Sequence, residues 1–140
     1  MTLDGVSARD IAVQGIRAQR VRMNLIANNI ANAQTTRTAD GGPFRRQMAI
    51  FRGEQLGSAI NPDKFGVRVL DIVEDDSPFE TVHDPSHPDA DADGMVLYPN
   101  VNLAIEMINL LSAQRAYEAN VDVILSSRAM SQRALEIIRA

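Results

Sequence analysis

Apolar positions divide this chain into three sections. From residue 7 to about residue 33 they fall on two lines at helical spacing: Ala12, Ile16, Met23, Ile26 and Ile30 on one, Ile11, Gly15, Ala18 and Leu25 on the other. Residues 101–140 repeat the arrangement. Met107, Leu110, Tyr117, Val121, Ile124, Leu135 and Ile138 keep a three-four heptad spacing, interrupted by Gln114, Arg128 and Ser131. Ile105, Ile108, Ala116, Val123, Met130, Ala134 and Ile137 form a second line. A helix with one neighbour needs a single apolar stripe, so two lines on each helix predict several neighbours. The last forty residues hold no glycine or proline, and a continuous helix there spans roughly 60 Å. A globule of this size has a radius of gyration of only about 14 Å. Other chains are therefore expected to bury much of that helix.

The helix ends carry signals of their own. Ser7 with Asp10 has capping-box spacing, with Val6 and Ile11 set for a hydrophobic staple. Asn102 reads as the cap of the second helix, and Glu106 in its first turn favours the helix dipole. Gly15 is either a tolerated glycine or the mark of a close helix contact. Between the helices, residues 35–43 (TTRTADGGP) read as a loop. Strands are expected at 44–51, 67–73 and 95–98, whereas 52–66 and 74–94 lack regular pattern.

Composition narrows the class. Of 140 residues 45% are hydrophobic but only 4% aromatic, so Ile, Leu, Val, Met and Ala must build the core, which suits helix packing. There is no cysteine, hence no disulfide scaffold and no Cys-ligated zinc. Asp4, Arg9 and Asp10 stand where a secretory signal needs an apolar run, so no cleavable signal is expected. No run of apolar residues is long enough to span a bilayer. The net charge of −4 conceals an uneven distribution: residues 1–50 balance at +4, residues 51–100 at −8 and residues 101–140 at zero. Such sections either attract one another between subunits or form an ordinary solvated surface.

Candidate chemistry is sparse. Asp89, Asp91, Asp93 and Gly94 reproduce the first half of a calcium-binding loop, but Asn100 stands where the bidentate Glu belongs. Pro85 and Pro88 break the helix that would align His83 with His87 as metal ligands, and no third ligand is evident. Neither a G-x-S-x-G motif nor a phosphate-cradling glycine loop is present, so the chain is expected to be no enzyme and to need no cofactor or metal. Arg9, Arg17, Arg20 and Arg22 sit on the first helix, yet the acidic pI and scarce aromatics argue against nucleic acid. A small calcium-binding module with an associated coiled coil is the alternative to an assembly subunit.

Residues 26–35, IANNIANAQT, resemble the signature of the flagellar basal-body rod family, with Asn28, Asn29, Ile30, Ala31, Asn32 and Thr35 at the matching positions. GGPFRRQ at 41–47, HDPSHPDADADGMVLYPNVN at 83–102 and EMINLLSAQRAYEANV at 106–121 are similar to its proximal-rod members. The likeness covers most of the chain, weakest at 52–66; Phe44 and Met95 stand where the family leads one to expect tyrosine. The resemblance implies a structural subunit of the periplasm-crossing rod, exported through the flagellum's own type III apparatus without a cleavable signal. Implied partners are the other rod proteins FlgB, FlgF and FlgG, the base protein FliE, and further copies of the chain.

The expected fold is mainly α: long N- and C-terminal helices form an antiparallel coiled-coil-like pair, with a small irregular and β middle. Residues 1–34 and 101–140 are the expected tube-forming parts and 35–100 the middle segment. Ile16, Met23, Ile26, Asn28, Asn29, Ile30, Asn32, Met107, Leu111, Arg115, Tyr117, Glu118, Asn120 and Ile124 are the expected assembly interface. Asn28, Asn29, Asn32 and Asn120 are expected to bond to adjacent helices and fix register; otherwise the first three merely fray the helix end. Ala27, Ala31, Ala116 and Ala119 allow close approach of helices. Before assembly both ends have little to bury them and are expected to be largely disordered.

Overall fold

In a computed structural model, residues 7–56 and 64–139 are described. Helix α1 spans Ala8–Ala31, and helix α2 spans Leu103–Arg139. Between them, β1 (Gln47–Gln55) pairs antiparallel with β2 (Phe65–Glu74), and β3 (Glu80–His83) pairs antiparallel with β4 (Met95–Tyr98). The two sheets are separate two-stranded ladders. The chain is thus mainly helical with a small β middle.

Both helix starts follow their sequence signals. The Ser7 hydroxyl accepts from the Asp10 amide, while the Asp10 carboxylate accepts from the Ser7 amide at 2.9 Å and from its hydroxyl at 2.7 Å. These bonds hold the Asp10 carboxyl below its usual range, the Ser7 amide contributing most and its hydroxyl next. Val6, the expected staple residue, lies outside the described residues. Asn102 caps α2 by accepting from the Ile105 amide at 3.1 Å. At the other end, α1 stops at Asn32, whose amide bonds back to the Asn28 carbonyl. The chain then turns through Gly41 and Gly42, both at positive φ, where a side chain would be strained.

The helices run antiparallel, as two cross-helix contacts establish. Gly15 faces Asn120, and Asn29, fourteen residues later in α1, faces Glu106, fourteen residues earlier in α2. A Cβ at Gly15 would lie 2.7 Å from Asn120 Oδ1, so glycine here serves a close helix contact. The hairpin is unequal: 24 residues of α1 lie against 37 of α2. Continuing that register brings the start of α1 level with about residue 128, and every described residue beyond it is exposed. The buried core is correspondingly small: Ala12, Ala18, Ile26, Val96 and Ala113, with Asn29 and Glu106 among them.

The β middle corrects the sequence reading in three places. The first strand begins at Gln47 rather than residue 44, because Phe44, Arg45 and Arg46 are engaged elsewhere: the Phe44 amide bonds to the Thr35 carbonyl, and the arginines hold residues 75–77. It also runs on to Gln55, and β2 begins at Phe65, so the flanks of the segment expected to lack pattern are paired, with a bulge at Ile50/Phe51. Residues 57–63 lie outside the described residues. Strand β3 was not expected at all. All four of its residues are exposed, so no apolar alternation marks it, and only pairing with β4 makes it a strand.

Candidate assembly interface

Glu106 anchors the junction of the elements. Its side chain is 1% exposed, and Arg46 Nε and Nη2 reach one carboxylate oxygen at 2.9 and 2.8 Å. Asn29 Nδ2 donates to the other oxygen at 3.0 Å. The same Asn29 amide group donates to the Gln47 carbonyl, and its Oδ1 accepts from the Gln47 amide. One asparagine therefore behaves as an extra strand residue against β1 while holding α2. Arg46 also pairs with Asp75 at 3.2 Å, and Asn100 accepts from the Arg46 amide while donating to the carbonyls of Asp75 and Ser77. A buried carboxylate persists only when paired and hydrogen-bonded. This network meets that condition, and it ties α1, β1, α2 and the 75–77 turn together.

Arg45 extends the tie, stacking over Phe79 at 4.2 Å and donating to the Asp75 and Ser77 carbonyls. Bonds from the Ser77 hydroxyl, then from its amide, hold the Asp75 carboxyl below the usual range, and Arg46 adds to this against the opposing effect of burial.

The expected interface residues separate into two groups. Ile26 and Asn29 are buried, and Ile16, Met23, Ile30, Asn32, Tyr117, Asn120 and Ile124 are half-buried, so they serve largely the contacts within the chain. Asn28, Met107, Leu111, Arg115 and Glu118 point to solvent. Asn28 donates to Gln47 Oε1, Asn32 donates back to the Asn28 carbonyl, and Asn120 donates to the Ala116 carbonyl of its own helix. The 28–32 run is therefore not a frayed end. Only Asn29 bonds across to α2, whereas Asn120 meets α1 by close packing against Gly15. Glu118 accepts from Gln114, and Arg115 forms no ion pair among the described residues.

Arg46 and Glu106 were not expected to form a buried pair. Glu106 in the first turn reads equally as a dipole-favouring residue, and its partner lies sixty residues away. The available signal was a carboxylate between Ile105 and Met107 in an apolar stretch.

Along α2 the apolar surface is left open on a scale unusual for an isolated domain. Ile105, Met107, Ile108, Leu111, Leu125 and Met130 are 55–67% exposed, and Ile137 and Ile138 reach 77 and 80%. Fully covering each such side chain contributes about 1.5–3 kcal/mol. Exposed apolar side chains on this scale mark a surface that other protein covers.

The acidic loop offers no cation cage. Asp91 Oδ1 accepts from the amides of Asp93 and Met95, and the two Asp89 oxygens accept from Thr36 and Arg37. His87 Nδ1 accepts from the Asp89 amide, and its ring meets Tyr98 edge-on at 6.1 Å. Among the described residues no group of three or more acidic, His or Cys side chains is arranged for a metal ion. These carboxylates fold the loop and clasp it to the segment that follows α1.

Known proteins resemble this chain in sequence. The family model described as "Flagella basal body rod protein" matches residues 10–37, and that described as "Flagellar basal body rod FlgEFG protein C-terminal" matches residues 92–137. The flagellar basal-body rod protein FlgC of Borreliella burgdorferi is 45% identical, over 95% of this chain and 97% of its own. That of Bacillus subtilis is 40% identical over 91% and 94%, and that of Aquifex aeolicus 35% over 96% and 97%. The matched segments hold most of both helices, including exposed apolar positions of α2, and the relatives extend the match through the sheets between them. The chain belongs to the FlgC family of flagellar basal-body rod proteins.

Proposed function

We propose that this chain is a structural subunit of the proximal flagellar rod, the tubular shaft that transmits torque and houses the export channel. It is not an enzyme; its relatives are structural rod proteins. The observation that carries the reading is the open apolar face of α2 on a chain of this family. The terminal parts, residues 1–34 and 101–140, form the inner tube as a coiled-coil-like pair, and residues 35–100 lie outside it. Met107, Leu111, Arg115 and Glu118, with Asn28 at the end of α1, supply the outward contacts, while Ile16, Met23, Ile26, Asn29, Ile30, Asn32, Tyr117, Asn120 and Ile124 keep the pair in register.

Contacts between subunits in such a shaft are heterologous, which generates an open tube rather than a closed dimer. The partners are copies of the chain and other rod and base proteins, specifically FlgB, FlgF, FlgG and FliE, reached after type III export into the periplasm. Ordering of the α2 tail is coupled to that assembly, since nothing described in the subunit covers it. Deleting the gene tests the reading. Cells should lose motility and lack hook and filament, with both restored by the intact chain, whereas flagella retained in the deletion strain overturn it.

A further inference from the structure

Charge is separated along the length of this molecule. Between Asp71 and Asp93 there are nine carboxylates and no Lys or Arg. Arg46 and Arg37 pair with Asp75 and Asp89, and Arg45 lies over Phe79, so the segment keeps a large excess of negative charge. This acidic module sits at the Glu106 end of the helical hairpin, because Asp75 shares Arg46 with Glu106 and Asp89 clasps Thr36 just beyond α1. At the opposite end stand Arg9, Arg128, Arg133 and Arg139, all exposed and none ion-paired among the described residues, against the two carboxylates Asp10 and Glu136, so four positive less two negative charges leave this end at +2. Along the α2 axis Arg128 lies roughly 33 Å and Arg133 roughly 40 Å from Glu106.

Screening makes that separation consequential. The Debye length is about 8 Å at physiological salt, so the two ends of one subunit cannot neutralise each other. Each is free to attract an opposite charge on another molecule, and a second copy of the chain presents both signs. We propose that the acidic 71–93 module of one copy docks against the basic free end of the helical hairpin of the next. The contact is heterologous and directional. It adds electrostatic orientation to the apolar burial along α2, which alone allows sliding.

The proposal rests on the rod reading above but fails separately from it. The chain carrying Arg128→Glu and Arg133→Glu, and another carrying Asp76→Arg and Glu80→Arg, alter exposed residues whose side chains make no hydrogen bond among the described residues. Self-association is followed by sedimentation velocity, with circular dichroism confirming that both variants fold. Intact chain should associate about tenfold more weakly when salt rises from about 0.05 to 0.5 M. Each double variant should lose association to a similar degree, and mixing the two should restore it. Absence of self-association at low salt, loss in only one variant, or failure of the mixture to recover overturns the proposal. In each of those cases a flagellum-less deletion strain still supports the rod reading.

Discussion

Replacing Arg46 with Met isolates the contribution of the buried junction. The substitution removes both guanidinium contacts to Glu106, at 2.8 and 2.9 Å, and leaves a carboxylate that is 1% exposed with Asn29 as its remaining partner. Breaking a buried pair on one side costs about 3–5 kcal/mol. Arg46 itself is 20% exposed, so water can enter the vacated space and the lower figure, about 3 kcal/mol, is expected. Loss of the partly exposed Asp75 contact adds about 1 kcal/mol. With a urea slope near 2 kcal/mol/M, the unfolding midpoint of the purified chain should fall by roughly 1.5 M. Combining Arg46→Met with Glu106→Gln should recover about 2 kcal/mol, because the neutral amide still accepts from Asn29 and no buried charge remains. A midpoint within about 0.3 M of the parent for Arg46→Met, or no recovery in the double variant, refutes the reasoning.

Three further outcomes follow from the same geometry. Gly15→Ala places a methyl group against the Asn120 carboxamide; its overpacking cost of about 2 kcal/mol outweighs the roughly 1 kcal/mol gained in helix propensity, and adding Asn120→Ala should remove the penalty in a double-mutant cycle. Asp75 has its folded pKa depressed, so its contribution to stability is present above the ordinary carboxylate range and lost as pH falls through the folded value; Ser77→Ala should raise that pKa and move the acid limb of a thermal-melt series, read between about pH 6 and 3, toward higher pH. Asp91→Ala should weaken the 91–95 turn by about 1 kcal/mol through loss of the two amide bonds, while calorimetric calcium titration of the parent and the variant should show no saturable site.

The helices were legible because their signals are local. Ser7 and Asp10, Asn102 and the glycine pair at 41–42 each act within a few residues, and the structure uses them. Strand β4 was legible with its bounds, since Met95–Tyr98 is a short run between turn residues. The junction was less so. Asn29 was expected to bond across to a neighbouring helix, and it does, but its match to the Gln47 backbone depends on how β1 docks. Glu106 and Arg46 meet only once three elements converge, and neither residue's neighbours in sequence announce that. Strand β3 shows the limit from the other side: a ladder exposed on every residue leaves no trace in apolar patterning.

The absence of cysteine from the chain allows a clean thiol probe of the central claim, that neighbours in the rod cover the outward face of α2. Single cysteines at Ile108, Leu125 and Ile137, exposed by 67, 57 and 77%, are read by maleimide labelling in the purified chain and in isolated basal bodies. The account predicts rapid labelling of all three in the free chain and at least about tenfold protection in the assembled rod, since covering these side chains excludes reagent as it excludes water. Equal labelling rates in both states, for basal bodies that contain the chain, would contradict it.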